Sequence, residues 1–83
     1  MLTLQPGQVV RSLAGRDKGF LLAVVSADGK TVTLADGKRR PIERPKAKNI
    51  RHVQATETRL TPDQMVTNRG LRKALRALEP EQR

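Results

Sequence analysis

Apolar residues between positions 7 and 53 fall in short runs separated by turn residues, a spacing that predicts strands. Gln8 to Leu13 is the first run, opened by Pro6 and Gly7, which favour a turn before an extended segment. Phe20 to Ser26 is the second. Its unbroken apolar stretch, Phe20 to Val25, fits a buried helix by periodicity alone, but its length and its flanking Gly19 and Asp28-Gly29 favour a strand. Thr31 to Ala35 alternates at period two between two Asp-Gly pairs, at 28–29 and 36–37, a dipeptide that suits hairpin turns because Gly tolerates positive φ. Arg40 to Arg44 predicts a fourth strand with Ile42 inward, unless Pro41 marks it as an edge. Asn49 to Val53 predicts a fifth, burying Ile50 and either His52 or Val53. Short strands at about ten-residue spacing predict a small barrel or sandwich.

After Gln54 the pattern changes. Ala55 to Thr61 is polar and aperiodic, so 55–66 reads as a linker. Thr61-Pro62-Asp63-Gln64 fits a capping box with proline at the first helical position, and Thr67 or Asn68 offers a second helix start. Gly70 disfavours one continuous helix at a cost of about 1 kcal/mol. Leu71, Ala74, Leu75 and Leu78 then form one stripe and Arg69, Arg72, Lys73 and Arg76 the opposite one, predicting an amphipathic basic helix over 67–79 that Pro80 ends, with 80–83 as a tail. The expected organisation is a mainly β domain over 1–54, the linker, this helix and the tail.

Composition narrows the picture. A chain of 83 residues supports one core, and with 36% apolar residues and Phe20 as the single aromatic that core is thin. There is no cysteine and one histidine, His52, so neither a disulfide nor a metal is expected to staple it, which leaves a protein or RNA partner. The net charge is +9 and the pI about 11.4. Between Lys38 and Arg51 seven Lys or Arg residues stand against one acid, Glu43, a local excess of +6. Such a block is costly to hold together without a polyanion, and phosphate is the obvious one. A membrane is not expected: no run approaches about 20 apolar residues, the start MLTLQPGQ lacks a basic n-region and a long apolar h-region, and no lipidation motif appears. The cytoplasm is therefore the expected location.

The acids are scattered and form no paired carboxylates, triad or metal spacing, so no enzyme, cofactor or small-molecule substrate is expected. His52 reads as structural or as a minor RNA contact. The turn Gly15-Arg16-Asp17-Lys18-Gly19 lacks the lysine-serine or lysine-threonine ending of a nucleotide-binding loop. Its two glycines allow close backbone approach to a phosphate and expose amides, while Arg16 and Lys18 add charge. Asp17 is expected to accept from the turn's own amides. The bland alternative is a hairpin that needs glycine for its geometry alone; the neighbouring basic block favours contact with RNA.

Gln8 to Val25, with its alternating apolar start, Gly-basic-Asp-Lys-Gly turn, apolar exit and Gly19 ten residues after Val9, resembles a KOW motif, found in several large-subunit ribosomal proteins and in NusG-type transcription factors. The stretch DGKRRPIERPKAKNIRHV, 36–53, extends the likeness to small bacterial KOW-domain proteins over about two thirds of the chain. One departure is Phe20, where those relatives often carry a basic or small residue; here the ring either packs inward or stacks a base. The resemblance implies an SH3-like barrel of about five strands whose first two strands carry the motif and whose connecting loop touches RNA.

The combined expectation is an RNA-binding protein that docks on structured RNA, ribosomal RNA of the large subunit first, beside ribosomal proteins. Its candidate contacts are Gly15, Arg16, Lys18 and Gly19; Lys38, Arg39, Arg40, Arg44, Lys46, Lys48 and Arg51; and Arg69, Arg72, Lys73 and Arg76. Arg39, Arg40, Lys46 and Lys48 come first among them. With one aromatic residue, phosphate and shape recognition should dominate over base reading. The helix's apolar face either folds back on the barrel or docks on another protein. The alternative is an SH3-like protein-interaction module of the transcription and translation machinery; an enzyme ranks below both.

Overall fold

The computed structural model describes residues 4–78. The chain is mainly β: five strands, β1 (Gln8–Ser12), β2 (Leu21–Ala27), β3 (Thr31–Ala35), β4 (Lys46–Asn49) and β5 (Val53–Arg59), form one antiparallel sheet in the order β4-β3-β2-β1-β5. A helix, α1 (Asn68–Leu78), follows. The first three strands fall where the apolar runs predict them. Glu79, Pro80 and the tail over 80–83, like residues 1–3 of the start, lie outside the described residues.

The connection between β4 and β5 dictates the shape of the sheet. These are its two outer strands, and a single 3₁₀ turn, Ile50–His52, joins them. Asn49 pairs with Thr31 at the start of β3, whereas Val53 pairs with Ser12 at the end of β1. Because β1 and β3 run in the same direction, the link joins opposite ends of opposite edges. In a flat sheet these edges would be about 19 Å apart, yet four Cα steps reach at most about 14 Å. The sheet must therefore curl until the end of β4 lies within about 14 Å of the start of β5. A bulge at Val25, where the β2–β3 register shifts between Val24 and Ser26, adds local twist.

Strand alternation sorts the core onto the two faces of this curled sheet. Val10, Leu22, Val24, Val32, Leu34 and Val53 pack together with Leu4 and Ile50 on one face. Val9, Leu21, Ala23 and Ala35 on the other face are covered by Leu60, Leu71 and Leu75, with Ile42, Met65 and Ala74 at the margin. The helix thus folds its apolar stripe back on the sheet, although Leu78 at its end is exposed.

Both anticipated helix starts are used, with a break between them. Thr61 opens a 3₁₀ segment, Pro62–Met65, in which its N–H donates to Gln64 Oε1 at 2.9 Å. Thr67 caps α1: its Oγ1 accepts from Gly70 N–H at 3.0 Å. Gly70 sits in the first turn of α1 and does not interrupt it.

Three expectations are corrected. Arg40 to Arg44 is not a strand but a turn, closed by Arg44 N–H donating to Pro41 O at 2.9 Å. Asp36 Oδ1 takes the amides of Lys38 and Arg40, both at 2.9 Å, and Asn68 Oδ1 takes that of Ile42 at 2.7 Å, so a ladder cannot form there. The fourth strand begins only after Pro45. Asn49 to Val53 is likewise not a strand, since Asn49 Oδ1 accepts from Arg51 N–H at 2.8 Å and caps the 3₁₀ turn. Val53 is buried and Ile50 half-buried, while His52 is exposed. Finally, the span expected as a linker over 55–66 opens with the rest of β5, to Arg59, and then holds the 3₁₀ segment Pro62–Met65, so the sheet does not end at residue 54. Polar residues hold this strand against β1: Thr56 Oγ1 donates to Val9 O at 2.8 Å and Gln8 Nε2 donates to Thr56 O at 2.6 Å, satisfying carbonyls at a register shift.

Candidate nucleic-acid interface

The β1–β2 connection, Leu13 to Phe20, is a fastened loop. Gly15 (φ +79°) and Gly19 (φ +89°) take the left-handed conformations that glycine permits. Gly19 N–H donates to Ser12 O at 2.8 Å, Phe20 N–H to Asp17 O at 2.9 Å and Lys18 N–H to Gly15 O at 3.2 Å. The amides of Lys18, Gly19 and Phe20 are therefore taken by carbonyls of the loop and of β1, and the side chains carry the charge presented outward. Arg11 Nη1 donates to Gly19 O at 2.8 Å and Lys48 Nζ to Ala14 O at 2.9 Å, tying the loop to β1 and β4.

Asp17 does not cap its own turn. Its carboxylate is 4% exposed and faces the β3–β4 loop, where Arg40 Nε and Nη2 both donate to Oδ2 at 3.3 Å. Arg39 Nη1 lies 3.8 Å from Oδ1, and the Arg39 guanidinium also lies over the Phe20 ring, 4.6 Å from its centroid. Phe20 is exposed with Arg39 against it, so it does not pack inward. This fixes two segments far apart in sequence, the Gly15–Gly19 turn and the Lys38–Arg40 loop, on one surface.

The opposite side of the β3–β4 loop rests on the helix. Gly37 has φ +82°, and a Cβ there would collide with Asn68 O and stand 3.1 Å from Arg72 N. Asn68 Nδ2 donates to Glu43 Oε1 at 2.8 Å while its Oδ1 holds Ile42 N–H, so one side chain pins both ends of the 42–43 bend. The hydrogen bond from Asn68, then those of the backbone and the nearby Arg44 charge, hold the Glu43 carboxyl below its ordinary value of 4.5.

Arg16, Asp17, Arg39 and Arg40 line a cleft of about 620 Å³. Three guanidinium groups surround one carboxylate, leaving a local excess of positive charge that suits an anion. Of the four cations placed first, Arg39 and Lys46 are exposed, whereas Arg40 and Lys48 are half-buried and fasten the loops together. Arg16, Lys18, Lys38, Arg44 and Arg51 are exposed around these loops. On the helix, Arg72 is half-buried with Nη1 3.5 Å from Gly37 O. Arg69, Lys73 and Arg76 face solvent, and among the described residues no hydrogen bond or ion pair joins them to the cleft. The two partners missed in the sequence, Arg40 for Asp17 and Asn68 for the 42–43 bend, had one visible signal: each involves the lone acid of a basic segment, Asp17 or Glu43.

No helix among the described residues is long and apolar enough to cross a membrane. Compared with protein-family models the chain matches none. A search of curated proteins likewise returns no match.

Proposed function

We propose that this chain is an RNA-binding protein with an SH3-like barrel of the KOW type, which docks on structured RNA through phosphate and shape contacts. The target favoured is ribosomal RNA of the large subunit, with the protein acting in the cytoplasm as a ribosome-associated or translation-related factor. One observation supports the reading: Asp17 draws the Gly15–Gly19 turn and the Lys38–Arg40 loop together, so that Arg16 and Arg39 line one cleft while Lys18 and Lys38 stand exposed on the same two segments. Arg39, held by Asp17 and by the Phe20 ring, loses less entropy on docking than a mobile cation would. The curl of the five-stranded sheet supports the barrel, and the KOW-like stretch from Gln8 to Val25 spans β1, the loop and most of β2, as that resemblance implies.

The test is crosslinking and sequencing of RNA bound to the protein in cells, with sedimentation against ribosomal subunits across a salt series. Enrichment of one large-subunit site is expected. If four cations each neutralise one phosphate, the logarithm of affinity should fall with the logarithm of salt at a slope of about −2.8 to −3.6. Diffuse RNA recovery without subunit association, together with a protein partner that dissociates when Lys38, Arg39 and Arg40 are neutralised, would replace this reading by the protein-interaction module.

A further inference from the structure

Phe20 and Arg39 have a relationship that phosphate binding does not use. The single aromatic ring of the chain lies at the end of the β1–β2 loop and keeps 36% of its surface exposed. The Arg39 guanidinium lies over it at 4.6 Å and is held from the side by Asp17 at 3.8 Å, yet the Arg39 side chain keeps 53% of its surface exposed. A planar cation fixed on a ring and open to solvent presents a surface on which an aromatic heterocycle can stack. Beside it lies the open cleft lined by Arg16, Asp17, Arg39 and Arg40, whose net positive charge suits a phosphate.

We propose that Arg39, backed by Phe20, is a stacking platform for a single unpaired RNA base, with Arg16 beside it for that nucleotide's phosphate. The inference rests on the RNA-binding reading and narrows its target to helices carrying a bulged or looped-out nucleotide, where a base is already free of its stack. Asp17 sets the platform's position and, by engaging Arg40, leaves Arg16 and Arg39 as the cations that face the ligand. With one aromatic residue phosphate and shape contacts still dominate, and the guanidinium adds a second π-like surface beside the ring. Stacking on this platform tolerates any base, so selectivity lies in whether a nucleotide is extruded and not in which one it is.

The experiment measures affinity of the full chain, by fluorescence anisotropy, for two synthetic RNA hairpins with the same stem, one fully paired and one bearing a single unpaired adenosine. The wild-type protein should prefer the bulged hairpin by about tenfold. Phe20→Leu should remove most of that preference while leaving affinity for the paired hairpin and the salt slope nearly unchanged, because it alters no charge, whereas Arg39→Lys, at a cation of the phosphate-contacting surface, should remove the preference and weaken binding of both hairpins. Equal binding of both hairpins by the wild type overturns the platform but leaves RNA binding standing. Binding of neither hairpin above that of a neutral control protein overturns both. A preference that survives in Arg39→Lys and in Phe20→Leu overturns the assignment to these two residues, and matching thermal midpoints confirm that each variant is folded.

Discussion

An acid between two cations in a glycine-bracketed turn can satisfy itself locally, by accepting from nearby amides, or at a distance, by pairing with a cation the fold delivers. Asp17 takes the second course, and its near-complete burial raises the cost of losing the partner. Asp17→Asn keeps the shape and removes the charge, and it should lower unfolding stability by about 1.5–3 kcal/mol in urea denaturation, the worth of hydrogen bonds to a charged group. A double-mutant cycle with Arg40→Gln should show strong coupling; additive losses would mean that the two side chains act independently. That Asp17 was the odd member of a basic turn was legible in the sequence. Its partner lies 23 positions away and becomes visible only once the β3–β4 loop is placed over the turn.

At the level of elements, β1, β2 and β3 were legible because buried strands write their burial directly as apolar runs or alternation. The errors occurred where polar side chains decide the backbone. β5 was missed because its sequence, VQATETR, is half-exposed and held by hydrogen bonds from Gln8 and Thr56; the recurrence of β-branched Thr at 56 and 58 was its only local sign. The segment over 40–44 was misread because Asp36 and Asn68 capture amides that a ladder would need. Asn68 also yields a pH effect. It lowers the Glu43 pKa in the folded chain below the ordinary 4.5, so this contact stabilises the fold above that pH and its contribution is lost as pH falls from there through the lower, folded value. Urea titrations between pH 7 and 3 should show that loss in the wild type, with a shallower acid limb in Asn68→Ala. Parallel limbs would mean that Asn68 does not set the Glu43 titration.

For the whole molecule, the ladder between β1 and β5 is the decisive long-range contact, since it joins residues 8–12 to 53–59. The mainly β class and the C-terminal helix were legible from periodicity, but the extent of the sheet was not, and the difference has a measurable outcome. A fragment of residues 1–54, the unit that the apolar pattern outlines, lacks nearly all of β5 and the whole of α1. It exposes one edge of β1 together with Val9, Leu21, Ala23 and Ala35. It should be unfolded by circular dichroism and show collapsed amide dispersion in NMR spectra, whereas a fragment ending at residue 78 should fold. A folded, cooperatively melting 1–54 fragment would make the later segments an accessory.

Among the described residues the outer side of β4, Lys46 to Asn49, has no neighbouring strand. Backbone in that state is a template for another chain. A second molecule approaching edge to edge would bring its own lysines against Lys46 and Lys48, and like charges facing each other across a ladder oppose pairing. The lysines of this edge thus guard the protein from itself, and any anion that neutralised them would weaken that guard and favour edge-to-edge association.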